Sequence, residues 1–175
     1  MSHKVFVISD PHFSHAGICK FLRNDVTKLR PWDDVKEMDE AIVSNWNSVV
    51  RDVDKIYVLG DVVFHKRDLP ILYRLNGKKI LVKGNHDTLD LKDYLPHFKD
   101  IRSYSILKQY IMSHIPIHPE SLGRWKGNIH GHTHSNLMKL PSGEIDKRYI
   151  CACVEWTNYT PIEFDELVAR SEVVR

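Results

Sequence analysis

The apolar positions of this chain form two kinds of pattern. Lys4-Val5-Phe6-Val7-Ile8 is apolar and β-branched and stops at Ser9-Asp10-Pro11, which predicts a buried strand running into a loop. Lys55-Ile56-Tyr57-Val58-Leu59 before Gly60-Asp61, and Lys79-Ile80-Leu81-Val82-Lys83 before Gly84-Asn85, repeat that arrangement. Between the first two runs lie Val35, Met38, Ile42, Trp46 and Val49. Their spacings of three and four put them on one face of a helix, which Asp34 and Glu37 suit at its start. A shorter helical segment is expected near Leu69 to Leu75. Strand and helix in alternation predict a parallel sheet with helices packed outside it.

The second half changes character. Extended candidates at Tyr110 to Ser113, Gly127 to His130 and Tyr149 to Val154 precede a last helix from Ile162 to Arg170, and predict a second, mixed sheet. From Pro11 to Trp32 there is little periodicity beyond a turn or two of helix in Gly17 to Arg23, and loops of this length are often functional. Residues 11 to 33 and 115 to 127 are expected to rim a site. No repeat, low-complexity stretch or linker divides the chain, so residues 1–175 are expected to form a single domain.

Composition narrows the function. A net charge of +2 with scattered Lys and Arg supplies no basic stripe, so duplex nucleic acid is not expected as a partner. No apolar run approaches the roughly 18 residues of a membrane span, and the N-terminus lacks a signal pattern. A cytoplasmic location without membrane attachment is the expectation. Cys19, Cys151 and Cys153 make an odd count in such a chain and read as reduced, small buried side chains.

Each apolar run of the first half ends in metal-ligand chemistry: Asp10 and His12, then Asp61, then Asn85 and His86. Ligands of open α/β sheets bind beyond the carboxyl ends of the strands, so these residues are candidates to converge. Asp10 with His12, and His132 with His134, are i and i+2 pairs that project to one side if the chain stays extended. Singly, Gly60-Asp61 reads equally as a turn, Gly84-Asn85 as the start of a helix, and His114 as a hydrogen-bonded histidine. The specificity lies in the ordered set.

Through Asp10-Pro11-His12, Gly60-Asp61, Gly84-Asn85-His86-Asp87, His114 and Gly131-His132-Thr133-His134, the chain resembles the calcineurin-like metallophosphoesterase family over residues 5 to 134. The resemblance is to its small bacterial and phage members. It implies an α/β fold, a two-sheet β-sandwich flanked by helices in four αββα layers. It also implies one metal on Asp10, His12 and His134, a second on Asn85, His114 and His132, and Asp61 bridging both. His86 is then left to protonate the leaving alkoxide, with Asp87 as a neighbouring carboxylate able to hold its charged form.

Imidazoles, carboxylates and one amide without thiolates suit borderline divalent ions; manganese is the first expectation, with iron, zinc, cobalt and nickel as alternatives. Two cations about 3.5 to 4 Å apart can clamp the attacking and leaving oxygens and bring a bound water toward a pKa of roughly 7. The reaction so implied is attack of a metal-bound hydroxide on phosphorus, with Asn85 and both metals offsetting the phosphoryl charge. Arg30, in Leu29-Arg30-Pro31-Trp32, is the candidate phosphate ligand, because a guanidinium matches phosphate with two parallel hydrogen bonds; Arg23 competes for that role. His15 and His65 adjoin proposed ligands and are read as supports for them or as substrate contacts.

The substrate expected is a small phosphate ester, a nucleotide or cyclic nucleotide included, with a diesterase favoured over a phosphomonoesterase or nucleotidase. Gly60-Asp61-Val62-Val63-Phe64-His65-Lys66 departs from the Gly-Asp-x-x-Asp-Arg-Gly of the family's protein phosphatases. A non-catalytic interaction scaffold of the same fold is the rival from another class.

Overall fold

The computed structural model describes residues 3–173. In chain order the elements are β1 (Val5–Ile8), α1 (Val35–Val49), β2 (Lys55–Val58), β3 (Lys78–Val82), α2 (Leu91–Tyr94), β4 (Asp100–Arg102), β5 (Tyr104–Leu107), β6 (Tyr110–Ser113), β7 (Gly127–His130), β8 (Tyr149–Cys151), β9 (Ile162–Glu163) and α3 (Phe164–Val173). Short 3-10 helices occupy Ala16–Lys20, Lys66–Arg74 and Pro119–Leu122. The second of these covers the helix expected near Leu69; Pro70 inside it lacks the N–H that a regular α-helix would need there.

The strands form two sheets, ordered β4-β3-β2-β1-β9 and β5-β6-β7-β8. In the first, β1 to β4 are parallel and β9 is an antiparallel edge. In the second, β6, β7 and β8 are parallel and β5 joins β6 as a hairpin. Ile162 and Glu163, read from sequence as the start of the last helix, instead pair with Val7 and Phe6, and α3 begins at Phe164. The result is an α/β two-sheet sandwich flanked by helices, a metallophosphoesterase-like αββα arrangement.

Burial explains why β1 to β3 are nearly continuous apolar runs. Phe6, Ile8, Ile56, Val58 and Leu81 face a core shared with Met38, Ile42 and Trp46 of α1. Their neighbours Val7, Tyr57, Ile80 and Val82 face Tyr110, Met112, Ile129 and Ile150 of the second sheet. Successive side chains alternate between faces and both faces are covered, so polar residues are confined to the strand beginnings, at Lys55, Lys78 and Lys79. The chain between Ser9 and Val154 ties the two sheets together: Ser9 N–H donates to Ala152 O at 2.9 Å and Val154 N–H to Ser9 O at 3.1 Å. Among the described residues, no helix is long and apolar enough to cross a membrane.

Asp54 fixes the opposite end of the first sheet. Its side chain is fully buried and accepts the backbone N–H of Lys4 at 2.8 Å and of Arg51 at 2.9 Å, with the Arg51 guanidinium on both oxygens. The hydrogen bonds from Arg51 come first among the causes that hold its carboxyl well below the ordinary 3.8. Asp54→Ala strands two donors where β1 and β2 begin and is expected to cost about 3 kcal/mol in urea unfolding at neutral pH. A group depressed in the folded state stabilises above its unfolded pKa, and that contribution fades as pH falls into the acid range. The gap between wild type and variant should therefore narrow below about pH 4, where unfolded Asp54 begins to take up its proton; a gap constant with pH would exclude the charge as its source.

Candidate metal centre

The segments that leave the strands are bonded to one another before any side chain is considered. Asp10 N–H donates to Gly60 O at 3.2 Å, His12 N–H to Asp61 O at 3.1 Å, and Gly131 N–H to His114 O at 2.9 Å. Two glycines permit this approach: a Cβ at Gly131 would fall on Ser9 Oγ and Asp10 Oδ2, and one at Gly84 on Asp61 Oδ1. The backbone then turns sharply at the donors. Asp10, His12, Asp61, His132 and His134 have φ values of 56°, 52°, 53°, 69° and 48°.

Two groups of side chains converge as a result. Asp10, His12 and His134 bring one donor atom each within 4.8 Å of one another, and so do Asp61, His114 and His132. Asp61 Oδ2 lies 3.4 Å from His114 Nε2 and 3.8 Å from His12 Nε2, between the groups. Asn85 Oδ1 is 2.8 Å from His114 Nε2 and joins the second group. Both groups could hold a metal ion. Buried Asp10 Oδ1 and both ring nitrogens of His12 have no hydrogen-bond partner, an arrangement that is costly unless a cation is what they serve. The donor set fits two divalent cations.

The electrostatics agree with a site made to attract positive charge. Burial works to raise the Asp10 carboxyl, but the imidazoles of His12, His114 and His134 outweigh it and hold the group well below the usual range. His114 is pushed up to about 9: burial opposes its charged form, and Asp61 and Asp10 more than offset that. His12 goes the other way, lowered chiefly by burial.

The remaining expected residues fall in different places. His86 is exposed, with its ring centroid 6.0 Å from that of His12 and 4.8 Å from that of Phe64, and its backbone N–H donates to Asp61 Oδ1 at 2.9 Å. Asp87 does not stand beside the His86 ring as a carboxylate partner. It is fully buried and accepts the N–H groups of Asp61, Val62 and Gly84, so it shapes the Asp61 turn instead. His15 packs on Phe64 at 4.4 Å and on His12 at 5.6 Å, whereas His65 is exposed at the start of a 3-10 helix.

Arg30 is the main correction. It is 1% exposed, and its guanidinium is taken up by Pro11 O, Asp10 O and Glu155 Oε1, at 2.8, 2.6 and 2.9 Å. A phosphate cannot reach it. Arg23 lines a cleft with Asn24, Ser135, Asn136 and Trp156. Cys19, Cys151 and Cys153 are free and buried; Cys153 Sγ lies 3.3 Å from Asp10 Oδ2.

Two participants escaped the sequence reading. Ser9 Oγ donates to Asp10 Oδ2 at 2.5 Å, leaving Oδ1 for a ligand. Glu155 Oε1 lies 3.1 Å from His134 Nδ1. Its signal was available, because the apolar run Tyr149 to Val154 ends in this carboxylate just as earlier runs end in Asp10 and Asp61.

No family model matches the chain. A structure from Aquifex aeolicus, described as the protein of unknown function AQ665, is similar over 97% of this chain and 100% of its own, with a TM-score of 0.73 and 29% identity. A novel archaeal phosphodiesterase is far more distant, with a TM-score of 0.45 and 16% identity over 86% of this chain and 82% of its own. The uncharacterized protein MJ1445 of Methanocaldococcus jannaschii is 33% identical over 98% of this chain and 95% of its own length. At that identity over nearly the whole of both sequences, the chain belongs to the family of MJ1445.

Proposed function

We propose that the protein is a metal-dependent phosphoesterase acting on a small phosphate ester, with a phosphodiester as the favoured substrate. The observation that carries the reading is the pair of donor groups with Asp61 Oδ2 between them. Asp10, His12 and His134 would hold one divalent cation, His114, His132 and Asn85 the other, and Asp61 would contact both. Manganese is the first choice, from a donor set of hard oxygens and borderline imidazoles. When bound, such a pair supplies an activated water and charge to neutralise the phosphoryl oxygens.

The chain's own groups supply the rest. His86, exposed and held by its backbone to Asp61, would give a proton to the leaving oxygen. Asn85 directs its amide oxygen into the second group, which leaves the amide nitrogen for a phosphoryl oxygen. Beside His132 and His134 opens a cleft of about 620 Å³, walled by Phe21, Leu22, Leu29 and Asn136. Room for a second ester substituent favours a diester over a monoester, and the open site with its full donor set favours an enzyme over a scaffold.

Metal-stripped protein should hydrolyse bis(p-nitrophenyl) phosphate only after manganese is restored, and faster than p-nitrophenyl phosphate. Asp61→Asn should lower that rate by more than the roughly 100-fold typical of changes to a ligand's supporting partners. No turnover of either ester with any divalent metal would sink the reading, and faster cleavage of the monoester would turn it to a phosphatase.

His86→Ala should bind manganese as wild type does, yet lose about 100-fold or more on a diester with an alkyl leaving group. With p-nitrophenolate, which leaves without a proton, the loss should be several-fold at most. Equal losses on both substrates would remove His86 from the proton-donor role.

A further inference from the structure

Arg30 and Glu155 form an ion pair with side chains 0% and 1% exposed, 125 positions apart in the chain, directly behind one of the two donor groups. Burying two charges is expensive, and such pairs seldom repay that cost in stability over an apolar pair of equal volume. Their connections show what else they do. Glu155 Oε1 accepts from Arg30 Nε at 2.9 Å and faces His134 Nδ1 at 3.1 Å. A proton on Nδ1 pointing at a carboxylate leaves Nε2 free, and Nε2 is the atom turned toward Asp10 Oδ1, 4.0 Å away.

The same guanidinium reaches the other two members of that group through the main chain. It donates to the carbonyls of Asp10 and Pro11, the two successive peptides that flank Pro11 and join Asp10 to His12, both at positive φ. The ring of His12 has no hydrogen bond of its own, so its aim depends on its stacking against Phe64 at 5.4 Å and on how that backbone is held. The second group is supported differently: His114 Nδ1 sits 2.7 Å from the Leu59 carbonyl, a neutral main-chain acceptor.

We propose that Arg30 and Glu155 are positioning residues for the Asp10–His12–His134 cation site, fixing the tautomer of His134 and the turn beneath His12, while the Asp61–His114–His132 site stands without them. The inference rests on the metal-centre reading above and extends it to which of the two cations each support controls.

The test is calorimetric titration of metal-free protein with manganese alone, beside thermal unfolding of the same metal-free samples. Wild type should bind two ions per chain. Glu155→Gln keeps the shape but leaves the Arg30 charge buried without its counter-charge; it should melt below wild type, stay folded at the titration temperature, and bind one ion as before and the other about tenfold more weakly. The double substitution Arg30→Met with Glu155→Leu replaces the pair by apolar groups. It should recover the stability that either truncation alone would lose, yet still weaken one ion by about 10- to 100-fold. That split separates positioning from mere structural support, for which recovered stability would bring recovered affinity.

If both variants bind two ions with wild-type affinities, or weaken both ions equally, the assignment to one site is overturned and the metal-centre reading survives. If wild type binds fewer than two ions, the metal-centre reading fails and this inference fails with it. Should the double variant not fold, Glu155→Gln decides the matter alone.

Discussion

Carboxylates and imidazoles from several strand ends can occupy a few ångströms only if the backbone at each strand end turns back on itself. Here that constraint is met by left-handed conformations at Asp10, His12, Asp61, His132 and His134. For residues with a Cβ this region is sparsely populated and costs on the order of 1 kcal/mol or more at each position. The sum persists only because the surroundings over-determine it. Asp87 caps the Asp61 turn with its carboxylate, Arg30 grips the carbonyls at Asp10 and Pro11, and Gly84 and Gly131 leave room where a side chain would collide. The rigid sandwich below supplies the anchor for each.

The same supports settle the charge balance. Asp10, Asp61, Asp87 and Glu155 crowd together with one permanent cation, Arg30, in their midst. Burial pushes the Asp87 carboxyl up, against the pull of the three N–H groups it accepts. Burial opposes ionisation of Glu155 too, but His134 and Arg30 prevail and hold it down. Asp10 and Asp61, the two carboxylates whose oxygens face the convergence point, are held down by the imidazoles around them against the upward push of burial. Asp10 Oδ1 in particular has no hydrogen-bond partner, an oxygen left open as a divalent cation requires.

How much of this could be read from the sequence depended on whether a feature is local. Strands β1 to β3 and helix α1 were legible because burial on both sheet faces removes polar residues from a strand, and one apolar stripe suffices for a helix. Strand β4 has three residues and β9 two, too few for any period to show. The β5–β6 hairpin turns through Lys108 and Gln109 at φ of 46° and 68°, a turn usually marked by Asn or Gly, so its chemistry gave no warning. Metal-ligand candidates stood out because they end recognisable strands. Arg30 was read as a phosphate ligand because nothing local marks its burial: its partners Pro11, Asp10 and Glu155 lie 19, 20 and 125 positions away, so its enclosure is purely tertiary.

This burial changes how the long segment before α1 should be understood. It is fixed at its inner end by the turn at His12 and at its outer end by Arg30, which returns to the same carbonyls from 19 and 20 positions away. Between those pins the chain bulges outward, where Phe21, Leu22 and Val26 are 48%, 59% and 77% exposed. Phe21 and Leu22 wall the cleft that opens on His132 and His134. A loop anchored at both ends by buried polar bonds and along its course by Ile18 and Cys19 in the core, but exposed at Phe21, Leu22 and Val26, would let side chains beside a substrate vary without moving a ligand. On the proposed function, the requirements of the metal centre and of substrate recognition would fall to different residues of one segment, with Arg30 at the boundary between them.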